Sequence, residues 1–287
     1  MNELTDKVGV ITGGASGIGL ATAKRLAAEG MHAVLADIEA APLAVAVDEV
    51  RALGVEAEGV VTDVTDLDAV MGLADAAWER FGGVHFLFNN AGVAVSGPIA
   101  ELTNADWKWG IDVDLWGPIH GIEAFLPRMI DQGEGGHITS TASFAGVVPN
   151  DDLGVYCVAK YGVVAMSEVL FRELRQHEIG VSVLCPMRLA TNIDASGRNR
   201  QADYGGPESQ AYPEVDEEEM AGTMLGAEDA ADLVLNGIRT NQLYLFTHPE
   251  SREFIRRRFE RMDRAFDAGP LGPTPHLSAR PPETGTS

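Results

Sequence analysis

Tyr156 and Lys160 are the residues whose types and spacing indicate chemistry most directly. They open an apolar stretch that predicts a helix, and a spacing of four places both side chains on one face of it. A free tyrosine has a pKa near 10, so a tyrosine that acts as a base at neutral pH needs a decrease of about 3 units, or roughly 4 kcal/mol. The adjacent ammonium group can supply part of this. Because a Tyr and Lys pair also occurs on ordinary helix surfaces, its interpretation depends on the rest of the sequence.

A glycine-rich loop, from Thr12 to Gly19, follows the first predicted strand and opens the first predicted helix. Glycines let the backbone turn sharply and let a pyrophosphate approach bare amides at the positive end of a helix. The strand, loop and helix context distinguishes a dinucleotide-binding loop from an ordinary tight turn. The predicted cofactor contacts in it are Gly13, Ser16, Gly17, Ile18 and Gly19.

Asp37 ends the second predicted strand, eighteen residues after Gly19. A carboxylate at this position accepts hydrogen bonds from the adenosine ribose and repels a 2′-phosphate. No Arg or Lys lies in the loop or beside Asp37, which favours NAD over NADP; the alternative is a solvated strand-end aspartate. Asp63 and Val64 close the third predicted strand, where they are placed to contact adenine, although an ordinary turn aspartate would look identical.

Short β-branched runs alternate with helical patterns from residue 7 to about residue 246. The runs are largely apolar, as expected of strands covered by helices on both faces. We therefore predict an α/β fold, a Rossmann-type doubly wound seven-stranded parallel sheet with its ligand crevice at the carboxyl ends of the strands. The predicted strands are residues 8–12, 32–37, 55–61, 84–90, 136–141, 180–186 and 242–246.

The predicted organisation is a single catalytic domain over residues 1–250, followed by a C-terminal extension. Within the domain, residues 190–222 are rich in Gly, Pro and charge and are interpreted as a substrate lid loop. Residues 251–267 predict a helix with an apolar face opposite many arginines, either docked or between subunits. Residues 268–287 are Pro-rich and lack aromatic residues, which predicts disorder.

Composition limits the partners of the chain, which has 287 residues and a formal charge of −22. Broad contact with nucleic acid or an anionic membrane needs a basic surface, so neither is expected. No leader sequence and no apolar run of about 18 to 20 residues is evident, so we expect a cytoplasmic protein. Two cysteines without companions at metal-ligand spacing predict neither a disulfide framework nor a metal site.

Taken together, the glycine loop and the Tyr156/Lys160 pair resemble the short-chain dehydrogenase/reductase family over about residues 5–248. Ser143, thirteen residues before Tyr156, and the Asn89 to Gly92 segment also match family motifs. The resemblance implies hydride transfer between a nicotinamide cofactor and an alcohol or ketone. By this resemblance, Ser143 holds the substrate oxygen and Tyr156 exchanges its proton. Lys160 binds the nicotinamide ribose and lowers the pKa of Tyr156.

The same resemblance implies further cofactor contacts near the nicotinamide, with Thr191 suited to its carboxamide. Met187 stands where the family usually has Gly, so its bulk either narrows the pocket or shifts the loop. Ser140 is a weaker candidate than Ser143 because it lies within a strand. The implied cofactor contacts are Asn90, Ala91, Gly92, Tyr156, Lys160, Pro186, Leu189 and Thr191.

Asp114 departs from the family pattern, because it aligns with a position that is typically the catalytic Asn of a tetrad. In the family, that Asn helps to hold a water that continues the proton relay from the lysine. We expect Asp114 to keep the role through its backbone and near-identical shape. Two alternatives are an ionised Asp114 that pairs with Lys160 and weakens its effect on Tyr156, and a solvated helix residue.

The predicted substrate wall is mostly apolar and indicates a hydrophobic or aromatic secondary alcohol or ketone. Its residues are Val95, Phe144, Met187 and Tyr204. One alternative function is an NADP-dependent carbonyl reductase, if Asp37 points away from the ribose. Another is a catalytically silent dinucleotide-binding regulator, which would not need the catalytic residues. The resemblance also implies a homo-oligomer, tetramer or dimer.

Overall fold

The computed structural model describes residues 1–207 and 223–267. Part of the predicted lid, residues 208–222, and the predicted disordered tail, residues 268–287, lie outside the described residues. One compact unit spans Met1–Ser251, and a second unit begins at Arg252.

The described residues form the predicted seven-stranded parallel sheet with helices around it, in the order β3-β2-β1-β4-β5-β6-β7. Strands β1, β2 and β5 have the predicted bounds, whereas β3, β4 and β7 are shorter and β6 is shifted by one residue. The strands are β1 Val8–Thr12, β2 His32–Asp37, β3 Ala57–Val61, β4 Phe86–Asn89, β5 Gly136–Thr141, β6 Ile179–Cys185 and β7 Tyr244–Phe246.

Helices connect successive strands, as parallel pairing requires. The last helix, α8, follows β7 and forms the predicted C-terminal extension. The α-helices are α1 Gly17–Ala27, α2 Ala40–Arg51, α3 Leu67–Phe81, α4 Asn104–Ile111, α5 Gly117–Gln132, α6 Gly154–Glu173, α7 Ala227–Thr240 and α8 Arg252–Asp267. Between α4 and α5, residues Asp112–Trp116 form a π-helix.

Two apolar cores lie on opposite faces of the sheet because successive strand residues point to opposite sides. In β1, Ile11 packs with residues of α1, α2 and α7, whereas Val8 and Val10 pack with residues of α3, α5 and α6. This three-layer packing fixes the carboxyl ends of the strands and with them the crevice where the order reverses between β1 and β4.

The segment Gly154–His177, which contains α6, is long and apolar enough to cross a membrane by length and composition. This corrects the expectation that the sequence has no such run. Its apolarity has another cause, because α6 packs against the sheet with Val163 and Leu170 buried. Its first turns carry Tyr156 and Lys160.

Helix α8 begins and ends within one residue of the predicted helix. Its apolar residues include Phe259, Met262 and Phe266, which are exposed. On its charged side, Arg256 and Arg257 pair with Glu253 one turn away. The predicted amphipathic character of this segment is therefore present.

Candidate active site

A single cavity at the carboxyl ends of the strands collects most residues that the sequence predicted for the cofactor. They come from the glycine loop, from the ends of β2 to β6 and from α6, and residues 192–201 complete the wall. Predicted cofactor residues on the wall are Gly13, Ser16, Gly17, Ile18, Asp37, Asp63, Val64, Asn90, Ala91, Gly92, Tyr156, Lys160, Pro186, Leu189 and Thr191.

The glycine loop presents an uncapped helix end to this cavity. Ser16 stands at the N-cap of α1 without a side-chain cap, and the first turn has no acidic residue. The leading amides of α1 therefore remain available to an anion. Gly13 has φ of 64°, and a Cβ there would lie 2.9 Å from Cα of Ala91. This combination fits the pyrophosphate of a dinucleotide.

Gly19 is the one predicted loop residue that does not line the cavity, and its role is in packing. A Cβ at Gly19 would lie 2.2 Å from the Gly13 carbonyl oxygen and 2.8 Å from Nδ2 of Asn90. Asn90 Nδ2 donates to the carbonyl oxygens of Thr12 and Gly13. Oγ1 of Thr12 accepts from the amides of Asn90 and Ala91, a contribution that the sequence analysis missed.

Asp37 braces the glycine loop from the end of β2. Its Oδ2 accepts from the Ala15 amide at 3.0 Å, and its Oδ1 accepts from the Glu39 amide at 3.1 Å. A carboxylate accepts about four hydrogen bonds, so each oxygen keeps capacity for a ribose hydroxyl. Asp37 therefore lies on the cavity wall in a position that suits its predicted role.

Asp63 forms the turn that the sequence analysis left as the alternative. Its Oδ1 accepts from the amide and the hydroxyl of Thr65 at 2.9 and 2.8 Å. Its Oδ2 accepts from Nε2 of Gln201 at 2.7 Å. Asp63 thus lines the cavity, and only its Oδ2, which has a single protein donor, keeps capacity for a ligand.

Ser143, Tyr156 and Lys160 meet at the other end of the cavity. The Ser143 hydroxyl acts to lower the pKa of Tyr156, so the two side chains interact. The Lys160 ammonium lies 5.4 Å from the centre of the Tyr156 ring and donates to the Thr141 carbonyl oxygen at 3.2 Å. Tyr156 and Lys160 are one turn apart on α6, so local helix geometry brings this pair together.

Asp114 is completely buried in the π-helix, which excludes the solvated alternative. Its Oδ1 lies 3.3 Å from Nζ of Lys160 and accepts from the Val93 amide at 3.0 Å. Its Oδ2 has no hydrogen-bond partner among the described residues. Burial raises the pKa of the Asp114 carboxyl above its ordinary value, while Lys160 and the Val93 amide oppose this. The structure therefore supports the alternative in which Asp114 pairs with Lys160.

The pKa of Tyr156 is raised above its ordinary value, not lowered as the resemblance implied. Burial of the hydroxyl is the main cause and the negative charge of Asp114 adds to it, whereas the hydrogen bond with Ser143 acts in the opposite direction. The presence of Asp114 beside Lys160 explains why the lysine charge does not dominate at Tyr156.

The predicted substrate residues are only partly brought together. Met187 lines the cavity, whereas Val95, Phe144 and Tyr204 do not. Val95 packs in an apolar cluster with Trp109, Phe144 is buried, and the Tyr204 hydroxyl donates to Oδ2 of Asp112 at 2.9 Å. The structure thus does not support these three as wall residues, because apolar packing and a hydrogen bond account for them.

Several cavity residues were missed by the sequence analysis. Ser196, Arg198, Asn199 and Gln201 line the wall. They belong to the predicted lid, which has no periodicity, so the sequence carried no signal for which of its residues turn inward. Arg198 pairs with Glu39, two residues after Asp37, so a cation from a distant segment lies near the end of β2.

Comparison with known proteins agrees with the fold and the motifs. Residues 7–202 match the family model for short chain dehydrogenases. A C alpha-dehydrogenase from Sphingobium sp. is 36% identical over 268 residues, which are 91% of this chain and 86% of that protein. A short-chain dehydrogenase/reductase from Burkholderia phymatum, solved in complex with NAD, is 38% identical with a TM-score of 0.85, over 96% of this chain and 99% of that one. Carveol dehydrogenase from Mycobacterium avium, also in complex with NAD, is 25% identical with a TM-score of 0.74, over 86% and 99% of the two chains.

The chain belongs to the short-chain dehydrogenase/reductase family and is an oxidoreductase. Enzymes of this family act on small-molecule substrates. The uncapped amides of α1 and the close approach at Gly13 suit a nicotinamide dinucleotide.

Changing Asp114 to Asn is expected to shift the pH dependence of the oxidation that the enzyme catalyses. The variant keeps the side-chain shape but removes the negative charge that raises the pKa of Tyr156. The fall of log kcat/KM at acidic pH should therefore begin at a lower pH in the variant. At a pH where the parent activity has already fallen, the variant should be several-fold more active. The measurement is kcat/KM of parent and variant across the pH range, with Tm as a control for folding. Coincident profiles would mean that the carboxylate does not tune Tyr156.

Proposed function

We propose that the protein transfers a hydride between NAD(H) and a hydrophobic or aromatic secondary alcohol or its ketone. The observation that carries the proposal is the meeting of Ser143, Tyr156 and Lys160 in the cavity whose other end contains Asp37. A silent dinucleotide-binding regulator has no need for a Ser and Tyr pair on the same cavity wall as a buried lysine. The arrangement therefore favours catalysis over binding alone.

In the proposed mechanism, Ser143 donates a hydrogen bond to the substrate oxygen and positions it beside the Tyr156 hydroxyl. During alcohol oxidation, ionised Tyr156 takes the hydroxyl proton while the carbon loses a hydride; in ketone reduction the two transfers reverse. A bound nicotinamide supplies the hydride acceptor or donor. Its positive charge when oxidised also opposes the burial and the Asp114 charge that raise the pKa of Tyr156.

The proposed role of Asp114 is to position the ammonium of Lys160, which it does together with the Thr141 carbonyl oxygen. Gly92 makes this arrangement possible. A Cβ there would lie 2.9 Å from Oδ1 of Asp114 and 3.3 Å from Nζ of Lys160. The lysine is thereby held in reach of the cavity, where we place the nicotinamide ribose.

The preference for NAD rests on Asp37, and Asp37→Asn tests it. The variant keeps an oxygen to accept from the loop but removes the charge that repels a 2′-phosphate. We expect the ratio of kcat/KM with NAD to kcat/KM with NADP to fall about tenfold or more, equivalent to roughly 1.4 kcal/mol. Steady-state kinetics with both cofactors give the ratio. A parent enzyme that already prefers NADP would contradict the assignment and favour the carbonyl reductase alternative.

The substrate class is proposed from the apolar part of the cavity lining, which includes Met187, Trp109 and Val113. The relatives are named as a C alpha-dehydrogenase and a carveol dehydrogenase. A panel of aryl and alicyclic secondary alcohols and ketones, matched with short polar ones, tests the class with both cofactors. Higher kcat/KM for the short polar compounds would contradict the proposal, and NAD binding without turnover of any compound would favour the regulator.

We further propose that the enzyme works in the cytoplasm as a homo-oligomer. Large apolar side chains are exposed on α6, at Val158 and Val169, and beside α5, at Trp116. Burial of such residues between subunits would remove apolar surface from water. Light scattering coupled to size exclusion measures the assembly.

A further inference from the structure

The segment from Ile193 to Tyr204, predicted as part of a substrate lid, also reaches the adenosine end of the cavity. Ser196, Arg198 and Gln201 line the same cavity as Glu39 and Asp63, which follow β2 and β3. The segment therefore contacts the part of the site that the sequence predicted for ribose and adenine.

Two polar links join this segment to the strand ends. Arg198 donates to both carboxylate oxygens of Glu39, from Nε at 3.2 Å and from Nη2 at 2.5 Å. Nη1 of Arg198 donates to the Ala195 carbonyl oxygen at 2.8 Å, which orients the guanidinium. Nε2 of Gln201 donates to Oδ2 of Asp63 at 2.7 Å. Of the two partners, Glu39 lies two residues after the predicted cofactor residue Asp37, and Asp63 is itself a predicted cofactor residue.

The remainder of the segment is anchored by one buried and one partly buried contact. Nη1 of Arg200 lies 2.7 Å from Oδ1 of Asp106, with the Arg200 side chain 2% exposed. The Tyr204 hydroxyl donates to Asp112. In contrast, the side chains of Arg198 and Glu39 are 41% and 28% exposed. Exposed ion pairs contribute little and open readily. The Arg198–Glu39 pair can therefore separate while the Arg200–Asp106 pair stays closed.

We propose that the Arg198–Glu39 pair and the Gln201–Asp63 hydrogen bond form a clasp that slows release of the dinucleotide. The inference rests on the proposed binding of NAD(H). Opening both links is then part of cofactor dissociation, a step that limits turnover in many enzymes. Because Glu39 neutralises Arg198, the guanidinium acts here as a bridge between two segments, not as a free cation for a phosphate.

The test measures the rate of NADH release by stopped-flow fluorescence, with excess NAD as the displacing ligand. Arg198→Ala and Glu39→Gln should each release NADH about three- to fivefold faster than the parent. The double variant should be no faster than the faster single variant, because both substitutions open the same link. The matched control is Arg239→Ala, whose pair with Glu29 has nearly the same exposure, 42% and 27%, away from the cavity wall. Its release rate should equal that of the parent.

Salt provides a second readout, since exposed ion pairs are screened. Release from the parent should accelerate as NaCl rises to about 0.5 M, and release from Arg198→Ala should change less. If Arg198→Ala releases NADH faster while Glu39→Gln releases it at the parental rate or slower, Arg198 contacts the cofactor directly and the clasp is refuted. Unchanged rates in both variants refute the clasp while NAD binding stands. Failure of the parent to bind NADH refutes the proposed function itself.

Discussion

Replacement of Tyr156 with phenylalanine is expected to lower kcat in both directions by about 10²- to 10⁴-fold, the range contributed by a positioned acid/base group. The variant keeps the ring beside Nζ of Lys160, 5.4 Å from the ring centre. It removes only the hydroxyl, whose pKa Ser143 acts to lower. Because most of the cavity wall is unchanged, the Kd for NADH should change much less, by under about tenfold. Steady-state kinetics and a fluorescence titration measure the two effects separately.

Tyr204→Phe is the matched control for this experiment. Its hydroxyl also donates a hydrogen bond, to Asp112, but it lies off the cavity wall. Burial, together with Asp112, raises the pKa of Tyr204 to about 12, so this hydroxyl remains protonated. The control should keep kcat within about threefold of the parent. Undiminished turnover in Tyr156→Phe would refute the proposed acid/base role, and an equal loss in both variants would indicate a general effect of hydroxyl removal.

The parts of the fold that the sequence predicted best are those in which local pattern and tertiary environment agree. β1 is buried along all five of its residues, so a short apolar run between polar residues has the same bounds in the sequence and in the structure. β7 is shorter than predicted, because only Tyr244–Phe246 pairs with β6. The catalytic pair on α6 was predictable since its contact depends on helix spacing alone.

The contacts that the sequence analysis missed join distant parts of the chain. Arg198 and Glu39 are 159 residues apart, and Gln201 and Asp63 are 138 apart. Periodicity reports only neighbours within one element, so it carries no information on such pairs. The same limitation applies to Val95, where an apolar residue beside the cavity packs into the core instead. Burial of Asp114 depends on the π-helix, which no simple pattern in the sequence predicts.

Replacement of Lys160 with methionine is expected to destabilise the protein by about 3–5 kcal/mol, as well as to impair catalysis. Methionine retains an apolar stem but leaves the fully buried Asp114 carboxylate without its cation. For a domain of this size, the expected decrease in Tm is about 6 to 20 °C. The double variant Lys160→Met/Asp114→Asn removes the unpaired charge, so it should recover most of the Tm while remaining inactive. Equal Tm values for the single and double variants would show that the pair does not stabilise the fold.

The pH dependence of this loss provides the sharper test of the buried pair. Burial raises the pKa of Asp114 in the folded chain, and the charge of Lys160 is the main influence that opposes the rise. Without the lysine, the folded pKa lies still further above the unfolded value, so the folded state binds the proton more tightly. The destabilisation of Lys160→Met is therefore complete above the raised pKa of Asp114. It diminishes as the pH falls from that value toward the ordinary pKa of a carboxyl group. Relative to the double variant, which has no carboxyl group at position 114, Lys160→Met should lose less Tm at about pH 5 than at about pH 8. A deficit of Lys160→Met that is independent of pH would mean that Asp114 does not bear the unpaired charge.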